Sequence, residues 1–293
     1  MTAEEPVTVW AIVAHYGPAG PTERTLDALR AGDVPPDQLV VVDNQGDWDG
    51  ADDDVMVVRP TANVGFAGAA AEGARKALGA GATWLWYVNN DALVSAACLR
   101  ELLATGSGVP RAGILSPVIS YPDGDIWYAG GVVDLRSLRV AHLAASPRPA
   151  AFSTGYVTGC AMLVRAAAIE DAGPPDASLF MYFEDVDLSL RMRERGWRLV
   201  VVPAARVMHD VERRRGRRIF SPTSVYLITR NRLVLAARRG RTLPALPPAF
   251  SWGLRQVAKA VGQGSLVAAA GAFARGLWDG LSGVTGPPPW RWT

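Results

Sequence analysis

Four short apolar runs, each closed by polar or acidic residues, constrain this chain more than any other feature. Val7 to Ala14 is almost wholly apolar and ends at His15 and Tyr16. A run without polar alternation reads as a strand buried on both faces, which suits a parallel sheet covered by helices. Leu39 to Val42 is a second such strand, closed by Asp43, and Val55 to Val58 is a third. Trp84 to Val88 is a fourth, closed by Asn89, Asn90 and Asp91. Between them, Pro21 to Leu29 places a proline near a helix start and Leu26 and Leu29 on one face, and Ala67 to Leu78 is an Ala-rich helix able to pack closely on a sheet. Val94 to Leu103 is expected to be helical. The alternation argues βαβ units. In an open α/β sheet, ligands bind beyond the strand carboxyl ends. Asp43 and Asp91 stand there, although each alone could simply cap the turn that follows.

The rhythm changes after Asp91. Ile114 to Ile119 reads as a strand, and the Gly-rich, aromatic stretch Ile126 to Val133 as a hairpin or a loop over a site. A strand is expected around Thr158 to Val164, a short charged helix over Asp185 to Arg195, a strand over Arg198 to Val202 and a separate edge strand over Val207 to Asp210. Ser221 to Arg239 has the pattern of a long amphipathic helix. Pro244 to Pro248 is expected to break the helical pattern, which resumes to Ala274. The one composition shift lies near Pro244. It divides the chain into a domain of residues 1–243, with halves of about 1–110 and 111–243, and a helical extension, 244–293.

With 293 residues, 49% hydrophobic and 20% charged, the chain can bury a sizeable core, and wholesale disorder is excluded. A formal charge of +2 is smaller than a general nucleic-acid binder usually carries. Cys98 and Cys160 read as reduced core thiols, too few for a disulfide scaffold or a Cys-rich zinc site. Glu4 and Glu5 without a basic region do not read as a signal peptide. No stretch reaches the roughly 18 uncharged apolar residues of a membrane span. A cytoplasmic protein is the expectation.

Three constellations carry possible chemistry. Asp43 and Asp91 at neighbouring strand ends could hold a base or ribose and a divalent ion, since Mg²⁺ and Mn²⁺ favour oxygen ligands and bridge to phosphates. Glu184, Asp185 and Asp187 open a helix after Phe180, Met181, Tyr182 and Phe183. They suit the field of a helix start, and a carboxylate there could also deprotonate a hydroxyl. His209 precedes Arg213, Arg214, Arg215, Arg217 and Arg218. That run is either solvated surface, a forked clamp for a diphosphate or a contact to anionic lipid. It lacks the interleaved aromatics of an RNA platform, so no nucleic-acid partner is expected. The Asn63–Gly68 stretch is neither a dinucleotide fingerprint nor a P-loop.

Taken in order, these segments resemble the family 2 glycosyltransferases of the GT-A fold, especially their rhamnosyltransferase-like branch, over roughly residues 7 to 240. The matching stretches are VVVDNQG around Asp43, NVGFAGAAAEG from Asn63 to Gly73, WLWYVNNDA ending past Asp91, TGCAMLVR from Thr158, MYFEDVDLSLRMRERGW around Asp185, and YLITRNRLVLAARRG with its Arg230–Asn231 pair. The fold implied is a Rossmann-like, mostly parallel central sheet flanked by helices, with a helical C-terminal extension. The first half would bind a nucleotide sugar and the second an acceptor.

The resemblance also implies roles. His15, Tyr16, Asp43, Asn63, Gly65, Phe66, Asn90, Asp91 and Gly159 would bind the nucleotide sugar. Asp91 and His209 would hold Mg²⁺ or Mn²⁺, and Arg214 and Arg218 the diphosphate. Asp185 would be the general base of an inverting transfer from a dTDP- or UDP-linked sugar to a hydroxyl of a glycan, a lipid-linked glycan or a natural product. Glu184, Asp187, Trp127, Tyr128 and Tyr182 would bind or orient the acceptor. The chain departs from the family in carrying Asn89–Asn90–Asp91, with one acid, at the metal motif, and Ala70–Ala71 where asparagines are expected. The alternative is a carbohydrate- or nucleotide-binding protein with a degenerate site. A nucleotidyltransferase would need an amino-terminal Gly-rich loop that is missing. Phe250 to Leu281, apolar with Arg255, Lys259 and Arg275, is expected to pack on protein rather than on a peripheral membrane contact, and a homodimer contact is a further use for it.

Overall fold

The computed structural model describes residues 6–50, 52–145, 148–211, 220–261 and 265–290. Its first half runs β1 (Val9–His15), α1 (Ala19–Arg30), β2 (Gln38–Asp43), β3 (Val55–Val58), α2 (Gly65–Gly79), β4 (Trp84–Asn89), β5 (Ala92–Val94), α3 (Cys98–Gly108) and β6 (Ala112–Ser120). Then follow β7 (Ile126–Tyr128), β8 (Gly131–Val133), β9 (Val140–His142), β10 (Phe152–Ser153), β11 (Ala161–Arg165), α4 (Ala166–Ala172), α5 (Glu184–Glu194) and β12 (Arg198–His209). Three helices close the chain: α6 (Pro222–Arg238), α7 (Thr242–Ala260) and α8 (Leu266–Leu281).

The main sheet has the order β10-β12-β6-β11-β4-β1-β2-β3. β4, β1, β2 and β3 are mutually parallel, as are β6 and β12, and β11 runs antiparallel between β4 and β6. β8 and β9 form a separate two-stranded sheet. This is the expected mostly parallel sheet with helical flanks and a C-terminal helical extension.

Alternation along the central strands feeds two cores. Val9, Ala11 and Val13 join Leu26 and Leu29 of α1 and Cys98, Leu99 and Leu102 of α3 on one face. Trp10 and Ile12 join the alanines of α2, Ile169 of α4 and Leu188 and Met192 of α5 on the other. Burial on both faces explains why the strands read as unbroken apolar runs. Gly73 shows why α2 is built from small residues, because a Cβ there would stand 2.4 Å from Ile12 Cγ2.

Three local expectations are corrected. Val94 to Leu103 is not one helix: Ala92–Val94 pairs with β12, and α3 starts at Cys98. The two strands expected over Arg198 to Val202 and Val207 to Asp210 are one strand, β12, whose register slips between Val202 and Arg206. Pro203 lies at that slip and has no amide to give the ladder. The proline cluster does not break the helix, since α7 contains Pro247 and Pro248. Pro244 falls in the first turn, where amides lack a carbonyl partner anyway. Pro247 and Pro248 free carbonyls close to the exposed helix start, where Leu243 is 80% exposed and water can reach.

The described residues form two compact units. The first, up to 132 with 142–177 and 185–211, holds the main sheet. The second holds 133–141, 178–184 and the C-terminal helices. In this second unit α8 lies close against α6. A Cβ at Gly276 would meet Tyr226 O at 2.8 Å, and one at Gly280 would meet Arg230 O at 2.9 Å. Buried Asp279 accepts from Tyr226 Oη and Arg275 Nε, both at 2.8 Å. Burial alone would raise its carboxyl, but Arg275 and Tyr226 more than offset this and hold it below the usual carboxylate value.

Candidate active site

Strand register brings the first group together. His15 pairs with Asp43 and Ala14 with Asn89, so the carboxyl ends of β2, β1 and β4 lie side by side. Asp43 is fully buried. Its Oδ1 accepts from the amides of Gln45 at 3.1 Å and Gly46 at 2.7 Å, and its Oδ2 from Trp48 N at 3.1 Å. Burial would raise this carboxyl; the amides of Gly46, Trp48 and Gln45 and the nearby His15 win, so it titrates below the usual value. Arg59 Nε stands 3.4 Å from Oδ2. His15 is buried, with Nδ1 2.7 Å from Thr22 Oγ1. Burial lowers its pKa, and Asp43 and Asp47 only partly counter that. Asn90 Nδ2 donates to the same Thr22 hydroxyl at 3.3 Å and to Tyr16 O at 3.4 Å, which ties the two strand ends together. The Tyr16 side chain is exposed.

The Asn63–Gly65 turn leads into α2. Asn63 Oδ1 accepts from Gly65 N at 2.8 Å, and Gly65 takes φ +69°. Asn44 grips the turn from both sides: its Oδ1 accepts from Val64 N and its Nδ2 donates to Gly65 O, at 3.2 and 3.3 Å. Sequence reading missed Asn44, although it directly follows Asp43. Phe66 is half-buried against the apolar cluster of Trp10 and Ile12.

The second group forms around β12. Asp210 N donates to Asp91 O at 2.8 Å, and His209 is in register with Ala92. This sets His209 Nε2 3.1 Å from Asp91 Oδ1. Buried His209 packs edge-on against Trp127, ring centroids 4.7 Å apart. Burial disfavours its charge, but neighbouring Cys160 and Asp91 outweigh this and raise it to about 10. An ion held by the pair would displace that proton.

Asp185 completes the arrangement. Its Oδ2 accepts from Gly159 N at 3.1 Å and its Oδ1 from Val186 N at 2.7 Å. Burial raises its carboxyl, and the Gly159 and Val186 amides counter that only in part. The Tyr128 and Tyr156 phenols are pushed up by burial, with the charge of Asp185 adding to the shift. The dipeptide Gly159–Cys160 joins the two groups. Gly159 binds Asp185, Cys160 O accepts from Asn89 N at 2.8 Å, and Cys160 lies beside His209.

Of the aromatic residues named for the acceptor side, Trp127 and Tyr128 are core members and Tyr182 is half-buried. Trp127 and Tyr128 are buried around His142, and Tyr128 Oη donates to Tyr156 O at 2.6 Å. His142 was not anticipated, since its partners are distant in sequence. Glu184 is buried. Asp187 pairs with Arg191 at 2.7 Å, and Arg191 donates to the carbonyls of Ala172, Gly173 and Pro174, which ties α5 to the end of α4. Tyr182 Oη is hydrogen bonded to Ser224 Oγ at 2.9 Å. Arg214 and Arg218 lie outside the described residues.

Two sets of side chains bear on a metal. His15, Asp43 and Asp47 are close enough to hold an ion, with ligand atoms within 4.8 Å of one another. Three amides already occupy the Asp43 oxygens, however, which leaves it a poor ligand. Asp91 Oδ1 is buried without a well-formed hydrogen bond and faces His209. A carboxylate and an imidazole fit a divalent ion that takes its remaining ligands from phosphate oxygens and water.

A mostly parallel sheet with its polar constellation beyond the strand carboxyl ends defines a Rossmann-like protein of the GT-A kind. Residues 6–232 match the family described as glycosyltransferase like family 2, and the chain belongs to it. It is 30% identical over 241 residues to an N-acetylglucosaminyl-diphospho-decaprenol L-rhamnosyltransferase of Mycobacterium tuberculosis, covering 70% of this chain and 77% of the relative. It is 29% identical over 203 residues to galactofuranosyltransferase GlfT1 of the same species, covering 64% and 66%. Among solved structures, GalNAc-T7 with UDP, GalNAc and Mn²⁺ gives a TM-score of 0.60 at 19% identity over 78% of this chain. This chain spans about half of that one, 48%. Staphylococcus aureus TarS 1-349 gives 0.57 at 15% identity over 95% of this chain and 83% of that one. Both likenesses concern the fold.

Proposed function

We propose that this chain is an inverting glycosyltransferase that moves a sugar from a dTDP- or UDP-linked donor to an acceptor hydroxyl. The observation that carries the reading is the link through Gly159–Cys160. One two-residue stretch holds a carboxylate of raised proton affinity, Asp185, and adjoins a carboxylate–imidazole pair, Asp91 and His209. Perturbed groups gathered this way mark a working site more often than a structural one.

In this reading Asp185 accepts the proton of the acceptor hydroxyl, and its two amide bonds fix the carboxylate's direction. A single placed base suits direct displacement at the anomeric carbon. The backbone of the Asn63–Gly65 turn receives the nucleoside, Asp43 shapes the wall beside it by holding the Gln45, Gly46 and Trp48 amides, and Asn90 and Thr22 order the β1 end. Asp91 and His209 would hold Mg²⁺ or Mn²⁺, which neutralises charge on the departing diphosphate. The name of the M. tuberculosis rhamnosyltransferase supports a diphospho-polyprenol-linked acceptor.

The test is transfer from a panel of dTDP-, UDP- and GDP-sugars to a polyprenyl-diphosphate-linked sugar, with and without Mn²⁺. Wild type turns over one donor. Asp185→Asn, folded by circular dichroism, loses about 10²–10⁴-fold in kcat while still binding the nucleotide. Donor binding without turnover by wild type would leave a carbohydrate- or nucleotide-binding protein instead.

A further inference from the structure

Helix α8 is apolar almost all the way round, yet only one side of it is covered. Its inner side is fixed by Gly276 and Gly280 against α6 and by Phe273 against Gly253 of α7. Trp278 lies two residues from each of those α8 glycines, about 200° round the helix. It belongs to a stripe of Val267, Gly271, Ala274, Trp278 and Leu281, all exposed and none polar. Val267 is 84% and Trp278 70% exposed.

Helix α7 repeats the feature. Leu243, Phe250, Leu254 and, at its end, Val261 recur at i, i+7, i+11 and i+18, one straight line at 3.6 residues per turn. All four are about half exposed or more. The buried residues Ala245, Ala249, Gly253, Gln256 and Ala260 occupy a different side. On the far edge of the same exposed side, about 120° and 160° round the helix from that line, stand Arg255 and Lys259. The charge of the two helices is one-sided, because their single acid, Asp279, is buried against Arg275 and Tyr226.

We propose that α7 and α8 form a docking face for an anionic lipid bilayer. Large apolar side chains with aromatic members, basic neighbours and no exposed acid are what an interfacial helix presents to acidic headgroups. Isolated exposed apolar residues need no partner, but exposed apolar lines along two consecutive helices are the pattern of an interaction surface. No helix among the described residues is long and apolar enough to cross a membrane, so the chain would lie on the surface through this face. The proposal concerns the second unit alone and stands apart from the sugar-transfer reading.

The full chain is floated with vesicles of phosphatidylcholine alone or mixed with phosphatidylglycerol, at low and high salt. Wild type is expected to float with the anionic vesicles, and less so as salt rises. The double variant Phe250→Glu/Trp278→Glu is expected to partition about tenfold more weakly or less, and Arg255→Glu/Lys259→Glu to lose the preference for anionic lipid. Thermal melts and nucleotide-diphosphate binding should match wild type in both. If the Phe250/Trp278 variant melts early, Val267→Glu, at a position 84% exposed, replaces it. Equal flotation of wild type and variants overturns the proposal. So does a wild-type chain that ignores vesicles and sediments as a dimer that Trp278→Glu splits, which would give the face to a second copy.

Discussion

Ionising Asp185 at neutral pH works against its surroundings. Burial raises its carboxyl in the folded chain, so the native state holds that proton more tightly than the unfolded chain does. The stability this contributes is complete below the unfolded carboxylate value and is lost as pH rises through the folded one. At neutral pH the charge is therefore a net cost. Asp185→Asn removes the charge but turns an amide nitrogen toward one of the two backbone amides Asp185 accepts from, so the expectation is a trend: its melting temperature gains on wild type as pH rises, while transfer is lost. A difference between the two that does not change with pH would remove the burial argument. Asp43 has the opposite sign. Its folded value is lowered, so its contribution is present above the ordinary carboxylate value and fades as pH falls. Asp43→Ala would strand the buried Trp48 amide and two neighbours, at a cost of about 1–3 kcal/mol in a denaturant melt. Asp43 stood out by its place after an apolar run, whereas only the family resemblance separated Asp185 from Glu184. Asn44, His142 and Cys160 did not stand out, because what singles them out is a partner far along the chain.

At the scale of elements, the strands were readable because burial on both faces leaves an uninterrupted apolar run. The antiparallel insertion of β11 was not, since a strand's own pattern carries no record of its neighbours' direction. Helix α7 was hidden by its prolines, which lie close enough to its start that the carbonyls they free, of Leu243 and Pro244, can turn to water. The Arg230–Asn231 pair of α6, noticed as a motif, turns out to hold the 178–184 segment. Asn231 Nδ2 donates to the carbonyls of Leu179, Met181 and Tyr182, each at 2.8 Å, and Arg230 Nη2 to Leu179 O at 3.2 Å. The segment is strained, with Phe180, Tyr182 and Phe183 at φ +66°, +69° and +69°, a region that side chains avoid. Asn231→Ala is expected to cost about 1–3 kcal/mol, and Asn231→Asp, which replaces the donor by an acceptor facing three carbonyls, at least as much. Urea melts of both variants check this. A loss in neither would mean that the loop holds its own conformation. Gly280→Val should cost a further ~1–3 kcal/mol by forcing α8 off the Arg230 backbone, read in the same melts.

For the whole molecule, the apolar rhythm of the first ninety or so residues carried the fold, and the order of the motifs carried the family. What sequence could not supply was which polar groups share a place, because that depends on strand order and register. The metal question turns on this. Spacing of ligand atoms favours His15, Asp43 and Asp47, whereas the amide bonds on Asp43 and the poorly satisfied Asp91 Oδ1 favour Asp91 with His209. The two assignments give different outcomes in one measurement. A ligand that binds only the folded chain raises the melting temperature, by about 2.7 kcal/mol of stability at a hundredfold excess over Kd. With UDP or dTDP, Mn²⁺ should add a further rise in wild type. Asp91→Ala is expected to abolish that increment and keep the metal-free response to nucleotide, while Asp47→Ala keeps both. The reverse pattern, with the increment lost in Asp47→Ala and kept in Asp91→Ala, would move the ion to the β1–β2 end and leave the Asp91–His209 pair as an ordinary buried ion pair.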